Sequence, residues 1–122
     1  MANTFRIITH DVMPASSGTP ETLYTAPSST TTIVLGLILT NVHSSQVTAS
    51  VIISSDTATS ANTGAPAANT DAHVLFNAPI PVGSTIEILS GNKVVLQTTD
   101  ILKIDCSVTD KVSAVLSIME IT

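Results

Sequence analysis

The sequence has one cysteine, no tryptophan, one tyrosine and only four lysine and arginine residues among its 122. Each shortage removes a class of function. A single cysteine closes no internal disulfide and builds no Cys-rich zinc site. Aromatic residues make up 2% of the chain. Sugars and unpaired bases are usually held on aromatic platforms, and Tyr24 alone is a poor candidate for one. Arg6, Lys93, Lys103 and Lys111 are scattered, and the net charge is −5. Binding to a phosphate backbone needs several clustered cations. Neither nucleic acid nor an anionic membrane is an expected partner.

Long apolar runs are also missing. The most apolar stretch, Thr32–Thr40, falls short of the roughly 20 residues that a membrane-spanning helix requires. The start of the chain has no apolar run of signal-peptide length, and Arg6 interrupts it. The expectation is a protein made and kept in the cytoplasm until it is assembled into something.

What remains is an apolar chain with few charges. Hydrophobic residues are 43% and charged residues 11%, against about 25% charged in typical soluble proteins. Mean hydropathy is +0.45. The surface must then be built mostly from Ser, Thr, Ala and Asn. Such a surface is easily desolvated and suits packing against neighbours.

Periodicity points to strands. Thr32–Thr40 is β-branched and Thr-flanked, and Gln46–Ser54 alternates with Val47, Ala49, Val51 and Ile53 on one side. With Asn41–Ser45 as a polar turn, the pair reads as a central hairpin. Ser84–Leu89, Lys93–Gln97, Ile101–Val108 and Val112–Ile121 read as a meander, with Ser90-Gly91-Asn92 as a tight turn. Pro79 and Pro81 make Ala78–Gly83 an unpaired crossing segment between sheets. The expected fold is all-β: a β-sandwich or jelly-roll-like barrel of about eight or nine short strands. Residues 1–20 form an N-terminal extended arm or first strand, and 21–122 a single sandwich domain. The expected core holds Leu35, Leu37, Val51, Ile53, Ile86, Ile88, Leu102, Ile104, Leu116 and Ile118, with Cys106 as a further small core residue.

Ser55–Thr70 has no large apolar side chain. It is expected to be a long loop, mobile or ordered by a neighbouring subunit. In strict alternation Ile33, Leu35, Leu37 and Leu39 share one face of their strand, and Val34 and Ile38 share the other. An apolar second face needs cover, so Val34 and Ile38 are the expected subunit interface.

The chemistry of catalysis is not legible. His10, His43 and His73 lie in separate segments, with no second His or Cys at metal-ligand spacing. Asp56 and Asp71 flank the long loop without forming a calcium motif. Glu21, Glu87 and Glu120 fall in three different strands, and no Gly-x-Ser-x-Gly elbow occurs. No catalytic, cofactor-binding or metal-binding residue is assigned, and no cofactor is expected.

Several stretches resemble small virion structural proteins of tailed bacteriophages, in particular those infecting cyanobacteria. They are Met1-Ala-Asn3, Leu23–Pro27, the apolar pair of strands, Asn77–Ser84, Val94–Lys103 and Leu116–Ile121. The likeness is one of sequence style, rich in Thr, Ser and Ala, and spans nearly the whole chain. It implies a non-enzymatic capsid decoration (cement) protein that stabilises the assembled head. Neck, collar, tail and fibre-attachment components, and a receptor-binding module, are the alternatives. The implied partners are copies of itself, with a trimer suiting local threefold positions, and other virion proteins such as the major capsid protein. The implied location is the virion, after synthesis in the host cytoplasm.

Overall fold

The computed structural model describes residues 2–58, 70–89 and 93–122. Nine strands run β1(Asn3–Met13), β2(Glu21–Thr25), β3(Thr31–Asn41), β4(Val47–Ser55), β5(Thr70–Ile80), β6(Thr85–Ile88), β7(Val94–Leu96), β8(Ile101–Cys106) and β9(Val112–Ile121). They form two antiparallel sheets. The first has the order β1-β9-β3-β6, with β7 also on β3; the second has the order β2-β8-β4-β5.

Both β6 and β7 run antiparallel to β3, one along Leu37–Thr40 and the other along Thr32–Val34. They are two pieces of one interrupted strand. Counted so, the pairs β1·β9, β2·β8, β3·β6/β7 and β4·β5 are those of one long hairpin with its tip between β4 and β5. Wrapping that hairpin brings β9 against β3 and β8 against β4, which yields a jelly roll.

Alternation decides which residues meet between the sheets. In β9, Val112, Ala114, Leu116, Ile118 and Glu120 point inward; in β8, Leu102, Ile104 and Cys106 do so. Val47, Ala49 and Val51 of β4 complete the facing layer with Leu37 and Leu39 of β3. Ile53 and Ile86 pack at the margin of this core.

Three expectations are corrected. β3 and β4 are not a hairpin: they lie in opposite sheets, and Asn41–Ser45 carries the chain across the sandwich. The C-terminal strands are not a meander, because β8 leaves for the second sheet before β9 returns to the first. Ser90-Gly91-Asn92 lies outside the described residues, and β6 and β7 on either side of it run in the same direction along β3. The proline-containing segment pairs further than expected, with Pro79 opposite Thr48 and Ile80 opposite Val47. An edge strand tolerates proline, since one row of N–H groups has no partner there. The crossing to the first sheet occupies Pro81–Ser84, closed by Ser84 N–H donating to Pro81 O.

Connections gather at two ends. At one, Asn41 is buried and its amide donates to Ser45 O (3.0 Å) and Ile80 O (2.9 Å) while Oδ1 accepts from His43 N–H (2.7 Å). At the other, Ala26 N–H donates to Asp100 O and Thr99 N–H to Ala26 O. Buried Asp100 accepts from Ser55 Oγ (2.7 Å), Thr57 Oγ1 (2.8 Å) and Gln97 N–H (3.0 Å). This ties the start of the β4–β5 connection to the β7–β8 turn. Residues 59–69 of the expected long loop lie outside the described residues.

Candidate assembly surface

Among the described residues, five of the eight exposed large apolar side chains lie on the outward face of the first sheet; Val42, Phe76 and Val82 are exposed elsewhere. A bulge in β3 sets the composition of that face. Val34 lies opposite Ile118, but Gly36, not Leu35, lies opposite the next residue of β9, Ser117. The extra residue inverts the alternation. Val34, Leu37 and Leu39 point into the core with 0% exposure, while Leu35 and Ile38 face outward at 36% each. The two residues expected to share an outer face are therefore separated. Val34 is part of the subunit's own core, Ile38 stays outside, and Leu35 moves from the expected core to the outer face. Strict alternation could not show this, because a bulge of one residue leaves no mark in so apolar a run.

Register lines the outward residues into rows across four strands. Phe5, Met119, Ile33 and Val95 form one row. Ile7, Ser117 and Gly36 form the next, with Leu35 beside them. Thr9, Val115, Ile38 and Glu87 form a third. Phe5 is 72% exposed, Ile7 68% and Val95 54%; Ile33, Val115 and Met119 are half-buried. Within these rows Glu87 is the sole charge, at the rim. Such a continuous apolar surface is a contact surface in most soluble proteins. Sequence reasoning missed Phe5, Ile7 and Val95 as surface residues, although they fall in stretches expected to be strands, residues 1–20 and Lys93–Gln97.

Two groups of charged residues are engaged away from this face. Glu120 is buried at the end of the sandwich. It accepts from Tyr24 OH (2.7 Å) and from Arg6 Nε (2.6 Å), and Tyr24 OH also meets Thr32 Oγ1 at 2.8 Å. The tyrosine hydrogen bond, then that of Arg6, holds the Glu120 carboxyl below its ordinary range. Burial first, and Glu120 beside it, push Tyr24 up to about 12. The four residues come from β9, β2, β1 and β3, so the cluster clamps one sheet to the other. His10 Nε2 lies 2.8 Å from Glu21 Oε2 and joins β1 to β2 in the same way.

A polar cleft of about 210 Å³ opens on the second sheet, lined by residues such as Ser17, Ser50, Asn77 and Asp105. Its groups largely satisfy one another: Asn77 N–H donates to Ser50 Oγ, and Gly18 N–H to Asp105 Oδ1. His43 and His73 stand apart from His10, and His73 packs its ring edge-on against Phe76. Cys106 is buried. Among the described residues, no three His, Cys, Asp or Glu side chains come together as metal ligands.

No protein-family model matches the chain. No curated protein matches it either. Among solved structures, it is similar to a chain in the crystal structure of the T13 IBDV viral particle, with 18% identity and a TM-score of 0.49. The match covers 97% of this chain and 30% of that one, so this chain spans under a third of that protein's length.

Proposed function

We propose that the chain is a non-enzymatic structural subunit of a virion, acting as a capsid decoration protein that packs against the assembled head and against copies of itself. The observation that carries this reading is the apolar outer face of the first sheet, laid across four strands of a jelly roll. Jelly rolls also serve as lectins and cupins, and fold alone does not choose among these. A lectin needs an aromatic or polar sugar platform, and a cupin a cluster of metal ligands. A subunit in a shell needs a rigid β-module with apolar surface that neighbours cover, and this chain supplies both. Repetition over a lattice lets each contact be weak. The sequence style shared with phage virion proteins supports the same role, and a trimer at local threefold positions is the oligomer we propose.

The test is location. Mass spectrometry of purified particles of the encoding virus should find the protein in stoichiometric, regularly repeated copies. Ile38→Asp should fold and fail to incorporate. A wild-type protein absent from purified particles would sink the proposal.

A further inference from the structure

We propose that β1 is also a pairing edge. Two copies of the chain join β1 to β1 antiparallel about a twofold axis, continuing the first sheet from one subunit into the next. This rests on reading the chain as an assembling subunit, and adds a second contact to the one made by the outer face.

The hydrogen-bond phase shows what the edge offers. Ala2 and Thr122 exchange both backbone bonds, Ala2 N–H to Thr122 O (3.1 Å) and Thr122 N–H to Ala2 O (3.0 Å). The register then runs unbroken from Asn3 opposite Ile121 to His10 opposite Ala114. In an antiparallel ladder every second residue bonds to a given neighbour. Thr4, Arg6, Ile8 and His10 therefore bond to β9. Asn3, Phe5, Ile7 and Thr9 turn their N–H and C=O groups away from the sheet. Among the described residues β1 pairs with β9 alone.

The other edges are blunted. β2 is five residues long. β6 and β7 are short and interrupted. β5 is long but contains Pro79 and is kinked at Asn77, whose φ is +46°. β1 has eleven residues, no proline and no lysine; its bulge lies beyond His10 and its one cation, Arg6, is held by Glu120, so the stretch Asn3–Thr9 is the least protected of the four edges. Of its exposed side chains there, Phe5 and Ile7 are apolar, and Asn3, Thr4, Arg6 and Thr9 are polar or charged.

A second copy of β1 fits this edge. A twofold axis at Ile7 sets Phe5 opposite Thr9 of the copy and Arg6 opposite its Ile8. An axis at Arg6 would set like charges opposite each other, so the Ile7 register is the favourable one. Four strands about 4.8 Å apart and about six residues of 3.4 Å each give the outer face a footprint of about 400 Å². Joining two subunits edge to edge would set two such faces side by side as one apolar surface for further neighbours.

The experiment is amide hydrogen exchange by NMR across a concentration series, with sedimentation of wild type, Thr9→Pro and Ile38→Asp. Proline at position 9 deletes an outward N–H and leaves the β9 ladder intact, as edges allow. Phe5, Ile7 and Thr9 amides should become protected as the protein associates. Thr9→Pro should weaken association at least about tenfold while keeping a wild-type circular dichroism spectrum. Amides that exchange equally fast in dilute and associated wild type overturn the edge contact, whether or not Thr9→Pro folds. If Ile38→Asp then abolishes association, the outer face stands as an interface and only the edge fails. A wild type that stays monomeric throughout overturns both.

Discussion

Glu120 is the residue on which the two sheets depend most visibly. Its carboxylate is buried, and three groups from three other strands surround it: Tyr24 OH and Arg6 Nε bond to it directly, and Thr32 reaches it through the tyrosine. Because its folded pKa is lowered, its contribution is present above the ordinary carboxylate range and is lost as pH falls through the folded value. Glu120→Gln should cost about 1–3 kcal/mol near neutrality, and the deficit should shrink in acid. Urea unfolding at a series of pH values checks this. Tyr24 gives a cleaner readout, since it is the sole tyrosine. Ultraviolet titration should place its ionisation at about 12 in the folded protein and at about 10 in denaturant. Its folded pKa is raised, so this contribution is full below the unfolded value and is lost as pH climbs through the folded one. Asp100 plays the matching part beneath the β4–β5 connection. Asp100→Ala strands Ser55, Thr57 and the Gln97 N–H together, and should lower stability by about 2 kcal/mol or more.

Among the elements, β3 shows what the sequence reveals and what it hides. Its strand character is plain from Thr, Ile and Val. Its facing is not, because the bulge at Leu35 turns Val34 inward and Ile38 outward. Leu37→Ala should cost about 2–5 kcal/mol, whereas Leu35→Ala, two positions away, should change stability by about 0.5 kcal/mol or less. Gly36 has open space where a Cβ would stand, so Gly36→Ala should be neutral or stabilising by about 0.5 kcal/mol. Thermal melts of the three variants test the inverted alternation directly. β4, β8 and β9 carry no such defect on their inner faces, and their core residues were legible from period alone. The pairing of strands was not. Asn41–Ser45 has the composition of a hairpin turn, yet it spans the sandwich. Turn chemistry is local, whereas the partner of β3 is fixed by how the whole hairpin wraps. Of the candidate surface, Ile38 was readable and Phe5, Ile7 and Val95 were not, since rows across strands exist only once register is known.

For the whole molecule, the wrapping explains both its stiffness and its stickiness. Away from its tip, the strands of the long hairpin pair with ones distant in sequence, β1 with β9 and β2 with β8. Folding dominated by such non-local pairing should occur on the order of milliseconds to seconds, which stopped-flow refolding would show. The same wrapping leaves one sheet face largely apolar across four strands and one long edge free of proline and lysine. A charge-poor chain cannot cover that surface itself. On the proposed function, closed association with copies would do so, because a repeated patch meets its own kind. The most direct measurement is sedimentation mass against concentration for wild type and Ile38→Asp, with circular dichroism on each. The wild type should form a discrete oligomer, and Ile38→Asp should remain folded and fall to a smaller species that has lost the outer-face contact, because the new charge would be buried there without a partner. A wild type that stays monomeric, or an Ile38→Asp protein that stays equally associated, would contradict the account.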